Sequence, residues 1–193
     1  LLGGLRVPFL ITDSTVPLLM DTVPALKLCH FRGVPQHDTV YAYLRCYVIK
    51  GALHFSATCF DAAPLATTRF ALALCPAART DCYLLFSLCK GGENTLCVLD
   101  SVTGAPLQTC SAPPARVVTG ADEQGVYWCA ESEIPAAVFT AVFGEAPKAG
   151  MVYAGNVFLY DTADAAFGAA FPVPRGEKAP TAKGFDAFTV VPY

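Results

Sequence analysis

The feature that most constrains this chain is a period of two in its apolar residues. Between positions 40 and 50, Ala42, Leu44, Cys46 and Val48 form one face, while Tyr41, Tyr43, Arg45 and Tyr47 form the other. Gly51 then turns the chain, and Leu53, Phe55, Ala57 and Cys59 alternate with His54, Ser56 and Thr58. Side chains along an extended strand point to opposite faces in turn, so this pattern predicts a hairpin with one core face. Alternation, or an apolar run with turn residues at both ends, predicts further strands at 69–75, 82–89, 95–100, 125–134, 151–160 and 185–191. Within 108–119, Pro113-Pro114 predicts a break followed by a short edge strand. The segment 135–143 is the only predicted helix, with a proline at its start and Gly144 as its stop. No strand–helix–strand alternation is present, which excludes a parallel α/β sheet. The expectation is an all-β chain, an antiparallel β-sandwich or jelly roll of about ten strands with one short helix. A single domain is expected over 1–193, with residues 1–39 a leading strand and loops wrapping the sandwich.

Composition narrows the function classes. Charged residues are 15% of the chain and hydrophobic ones 54%, which excludes a disordered linker and leaves a surplus of apolar surface to place. Thirteen basic residues against 16 acidic ones, a formal charge of −3, supply no concentrated basic face for nucleic acid or an anionic membrane. The longest run without a formal charge, 101–115, carries three prolines, so no membrane-spanning helix is expected. The nine cysteines stand at 29, 46, 59, 75, 82, 89, 97, 110 and 129, with no C-x-x-C pair. An odd number set mostly in apolar runs reads as reduced core residues, not as a disulfide framework or a zinc site. With no visible signal peptide, this favours a reducing, cytoplasmic compartment.

Catalytic signatures are missing: there is no G-x-S-x-G, Walker loop, dinucleotide fingerprint or H-E-x-x-H. His30 and His37, with Cys29 and Asp38, are near enough in sequence to gather around a metal, but such neighbours in a loop are ordinary. Glu131 and Glu133 fall on one face of one strand, about 7 Å apart, and read as a solvated edge. Asp161 and Asp164 form the one pair suited to a structural calcium ion; no other cofactor is expected. The aromatic residues are more suggestive, because sugars bind by stacking their C–H faces on rings while polar side chains fix their hydroxyls. Tyr41, Tyr43 and Tyr47 with Arg45 make a stripe on one strand face. Phe167 and Phe171 lie in a long late segment, 161–184, punctuated by glycine and proline, of the kind that often carries function. Trp128 sits in an apolar strand pattern and reads as core.

Laid out in order, these elements resemble the family 9 carbohydrate-binding modules. Trp128-Cys129-Ala130-Glu131-Ser132-Glu133-Ile134-Pro135 is similar to the family's strand ending in a carboxylate and Ile-Pro, and a short helix closing at Phe143-Gly144 follows. Pro147-Lys148-Ala149-Gly150 then leads into Tyr153-Ala154-Gly155-Asn156-Val157-Phe158, similar to an aromatic–Ala–Asn–aromatic strand. The stretch 167–172 resembles the place of an exposed tryptophan before a proline, and Phe185-Asp186-Ala187-Phe188 the terminal strand. Thr67 and Ala71 stand where the pattern has acidic residues, Phe171 stands where it has tryptophan, and Gly176-Glu177-Lys178-Ala179-Pro180 replaces a His-Arg-Pro-Glu-like stretch. The resemblance implies a non-catalytic, lectin-like module that binds a saccharide. Phe171 and Phe167 would then be stacking platforms, with Asn156, Arg45 and Tyr43 as further contacts. The rival expectation is a scaffold domain that has lost sugar binding and uses its apolar surface for self-association or contact with a partner protein.

Overall fold

The structure is a computed structural model that describes residues 7–32, 41–61, 67–123, 125–161, 167–177 and 179–193. In chain order its strands are β1 (Phe9–Ser14), β2 (Ala25–Lys27), β3 (His30–Arg32), β4 (Tyr41–Ile49), β5 (Ala52–Asp61), β6 (Thr68–Pro76) and β7 (Cys82–Cys89). There follow β8 (Asn94–Asp100), β9 (Pro106–Cys110), β10 (Arg116–Asp122) and β11 (Gly125–Ile134), then helix α1 (Ala136–Phe143) and β12 (Val152–Asp161), β13 (Phe167–Ala169) and β14 (Asp186–Pro192). The fold is an all-β sandwich with one short α-helix among the described residues. No helix among them is long and apolar enough to cross a membrane.

The hairpin is set by local chemistry. Lys50 and Gly51 both have positive φ, 50° and 78°, the backbone of a two-residue turn whose twist matches that of the flanking strands. It fixes Ile49 opposite Ala52 and, six residues out, Tyr43 opposite Thr58. A Cβ at Gly51 would lie 2.8 Å from that of Ala146, so glycine also lets the segment after α1 approach. Helix α1 follows Pro135, extended at φ −62° and ψ 146°, and ends on Gly144 in the left-handed conformation, whose N–H caps the Thr140 carbonyl.

Hydrogen bonding runs without a break through β10-β11-β5-β4-β1-β14-β12-β6-β7-β8-β9. Strand β1 is the seam, parallel to β14 on one side (Ile11 opposite Val190) and to β4 on the other (Asp13 opposite Val48). It is therefore central, and it breaks the otherwise antiparallel pattern. The ladder folds over at this seam: Phe55 on β5 meets Phe86 on β7 edge-on, with ring centres 5.2 Å apart. Between the layers lie Ala42, Leu44, Cys46 and Val48 of β4, Leu53, Phe55, Ala57 and Cys59 of β5, and Trp128 of β11, as their alternation predicts. Helix α1 plugs one end with Phe139, whose ring stands edge-on to Tyr153 at 6.1 Å.

The proline break sends the chain from one end of the ladder to the other. Strand β9 is the last strand of one layer and β10 the last of the other, with Pro113 and Pro114 in the crossing between them. Of the nine cysteines, Cys46, Cys59, Cys75, Cys82 and Cys89 are buried, and Cys29 is exposed. Burial pushes the Cys46 thiol up to about 12.

Candidate saccharide groove

Three adjacent strands present their outward residues in register. Tyr43 on β4 faces Thr58 on β5, which faces Cys129 on β11; the next row is Arg45, Ser56 and Glu131, and the next Tyr47, His54 and Glu133. The period of two that buries Leu44 and Phe55 therefore places every second side chain of all three strands on one outer face. The middle strand contributes short side chains at Ser56 and Thr58, while its neighbours contribute long ones. The result is a groove of about 850 Å³ with a low floor and tall sides.

A roof comes from the segment between β1 and β2. Both strands pair along the same edge of β4, β1 opposite Tyr47–Ile49 and β2 opposite Tyr43–Arg45. The chain between them bulges over the outer face, and Leu18, Leu19, Met20 and Asp21 overhang the groove. Arg45 holds this bulge: its Nη1 donates to the carbonyl oxygens of Met20 (3.2 Å), Asp21 (3.1 Å) and Val23 (2.7 Å). The guanidinium also lies 5.5 Å from the centre of the Tyr43 ring. Its Nε is buried and makes no hydrogen bond among the described residues.

The opposite wall is acidic. Glu131 lies 3.9 Å from Arg116, and its side chain is 52% exposed. Glu133 is 3.2 Å from Nε2 of His54, whose ring stacks flat on Tyr47 with centres 5.2 Å apart. Asp21 on the roof adds a third carboxyl group to the lining. Cys129 meets the Thr58 hydroxyl at 3.4 Å on the floor. The groove thus combines aromatic faces, carboxylate acceptors and a guanidinium donor, a mixture suited to a ligand with both apolar C–H surface and hydroxyl groups.

The residues singled out from sequence separate into two groups. Tyr43 and Arg45 line the groove. Phe167 and Phe171, expected as stacking platforms, and Asn156, expected as a polar contact, belong to the other layer and lie apart from this groove. Phe167 is 2% exposed, because β13 is held between β12 and β3 and its ring packs 5.7 Å from Phe158 under the Arg32 guanidinium. Asn156 is fully buried. Its Oδ1 accepts from the N–H groups of Val157 and Phe171, and its Nδ2 donates to the carbonyls of Phe171 and Gly184. Phe171 is half-buried, with its ring edge against Phe188 at 5.8 Å. The glycine and small residues around Phe167 that suggest a loop are what lets β13 pack closely. A Cβ on Gly168 would strike the Phe31 ring at 2.4 Å.

Glu131, Glu133 and His54, read from sequence as solvated polar residues, are the groove's main polar groups. Strand β11 lies inside the layer, between β10 and β5, so its polar face forms a wall of the groove, with the Glu131 and Glu133 side chains 52% and 48% exposed. Among the aspartates considered for calcium, Asp161 accepts hydrogen bonds from the Thr67 hydroxyl at 2.8 and 2.9 Å and the Thr68 hydroxyl at 3.1 Å. Asp164 lies outside the described residues, as do His37 and Asp38; Cys29 and His30 are exposed. Among the described residues no group of three or more His, Cys, Asp and Glu side chains is gathered as a metal would need.

With this geometry in hand, the chain compares closely in fold with carbohydrate-binding proteins. A Bacteroides uniformis protein provisionally described as carbohydrate-binding superposes with a TM-score of 0.68 at 12% identity, covering 94% of this chain and 98% of that one. A family 9 carbohydrate-binding module of Caldicellulosiruptor kristjanssonii in complex with cellotriose gives 0.60 at 11% identity, covering 96% and 94%. A family 9 module of the same organism with glucose gives 0.63 at 11% identity, covering 95% and 96%. No family model and no curated protein matches the sequence. The architecture is thus like that of family 9 modules, and at this identity the likeness is one of fold.

Proposed function

We propose that this chain is a non-catalytic saccharide-binding module whose binding surface is the roofed groove on β4, β5 and β11. The observation that carries the reading is the register itself. Tyr43, Arg45 and Tyr47 face Glu131 and Glu133 across a floor of Ser56 and Thr58, in a fold shared with family 9 modules. Aromatic faces would take the C–H surface of a sugar ring, and the carboxylates its hydroxyl groups. A binding role is favoured over hydrolysis because Glu131 and Glu133 stand side by side on one strand. Glycosidic cleavage places its two carboxyl groups on either side of the scissile bond.

The test is a glycan-array screen with the purified chain, the Tyr43→Ala variant and the Glu131→Ala variant, each checked for a cooperative thermal transition. The expected result is a saccharide signal in the parent that both variants lose while remaining folded. A blank array from folded, monodisperse parent protein would overturn the proposal in favour of protein contact. In that case the exposed Leu10 and Val152, in register through Thr189 on adjacent strands, are the first surface to alter.

A further inference from the structure

The outer face does not stop at the groove. One row beyond Tyr43, Thr58 and Cys129, the same register brings Tyr41 opposite Phe60, Phe60 opposite Tyr127, and Tyr127 opposite Gly120. The rings form a chain: Tyr43 to Tyr41 at 5.6 Å, Tyr41 to Phe60 at 6.2 Å, and Phe60 to Tyr127 at 5.5 Å. The strip ends over Gly120, where a Cβ would lie 2.3 Å from the Tyr127 ring, so the missing side chain lets that ring lie flat on the sheet. Tyr41 is 41% exposed and Phe60 and Tyr127 are partly so, an arrangement of large rings that packing of the core does not require.

We infer that the groove and this aromatic strip are one continuous surface, and that its ligand is an extended oligosaccharide segment lying along the strands, not a single sugar unit. The inference rests on the saccharide reading above and adds the length and direction of the ligand. From Tyr47 to Tyr41 the β4 backbone advances six residues, about 20 Å at the rise of a strand, which spans several linked sugar rings. The two ends of that path differ in chemistry. The Tyr47 end offers His54, Glu133, Glu131 and Arg45, which fix hydroxyl groups. The Tyr41 end offers ring faces, with the Lys27 ammonium 5.7 Å from the centre of the Tyr41 ring. Polar groups would set which sugar binds, and the strip would add affinity for each further unit with little regard to its identity.

The experiment is calorimetric titration with gluco-, xylo-, manno- and galacto-oligosaccharides of two to six units, on the parent chain and on Tyr41→Ala, Tyr127→Ala and Glu131→Gln. For the series that binds, affinity should rise roughly tenfold or more from two units to four or five and then level off. Tyr41→Ala and Tyr127→Ala should flatten that rise while leaving the disaccharide affinity unchanged, and Glu131→Gln should weaken every length alike. Equal affinity for all lengths, or a length dependence that survives both tyrosine variants, would overturn the inference and leave the saccharide reading standing. Silence across all four series would overturn both. Tyr127→Ala uncovers Gly120, so Tyr41→Ala, at an exposed position, is the variant that decides if the former fails to fold.

Discussion

Asn156 uses both its amide oxygen and its amide nitrogen on the backbone, bonding two N–H groups and two carbonyls from three separate stretches of chain. A buried amide so placed is part of the fold, because every group it satisfies would otherwise be stranded away from water. Asn156→Ala is expected to lower stability by about 2–5 kcal/mol, measured by chemical denaturation, since it strands several of those groups at once. Saccharide binding by the fraction still folded should be unchanged, because Asn156 lies in the opposite layer from the groove. The sequence marks the residue as unusual, a polar side chain amid Tyr153, Val157 and Phe158, but not what it bonds. Its partners at Phe171 and Gly184 are fifteen and twenty-eight positions away, and nothing local encodes that meeting. Phe167 misleads for a related reason: an aromatic ring among glycine and alanine reads as exposed until a neighbouring strand is seen to cover it. Trp128, flanked by an alternating pattern, could be placed in the core without that knowledge.

At the scale of elements, what could be read from the sequence is what neighbours in sequence decide. The Lys50-Gly51 turn dictates that Tyr47 meets His54 and Tyr43 meets Thr58, so two walls of the groove were legible in one hairpin. The third wall was not, because β11 joins β5 some seventy residues later, and only that pairing sets Glu131 and Glu133 beside Ser56 and His54. The hairpin should be sensitive at its turn. Gly51→Ala must hold a positive φ and press a methyl group on Ala146 at 2.8 Å. It is expected to cost more than about 1 kcal/mol and to lower the melting temperature seen by circular dichroism. Arg45 ties the roof to β4. Arg45→Ala removes the donor shared by three carbonyls between Met20 and Val23, so amide hydrogen exchange at residues 18–23 should speed up markedly while that of β5 and β11 does not. Unchanged exchange in the roof would show that Arg45 does not hold it.

Across the whole molecule, buried groups that must stay neutral set an alkaline limit. Burial pushes Cys46 up to about 12 and Tyr83 to about 12, and burial with neighbouring Cys82 pushes Cys75 to about 11. Each pKa is higher in the folded chain than in the unfolded one, where thiols titrate near 9.0 and tyrosine near 10.0. The folded state therefore keeps protons that the unfolded state has released, and stability that is complete below pH 9 falls as the pH climbs towards 12. Denaturation midpoints measured at intervals from pH 7 to 11 should decline above 9, and Cys46→Val should make the decline shallower. The parallel seam has a different consequence, one of timing. Strand β1 has its longer pairing with β14, which follows it by some 175 residues (Phe9 opposite Phe188, Ile11 opposite Val190), so the two layers cannot be joined until the whole stretch between them has been made. During synthesis the β4–β5 hairpin and the β6–β7–β8 meander can form as they emerge, but the edges of β1 and β12 stay open and sticky until β14, which pairs with both, has been made. Such a high sequence separation makes closure the slow event of folding, and ribosome-stalled chains lacking β14 should be the species that chaperones hold.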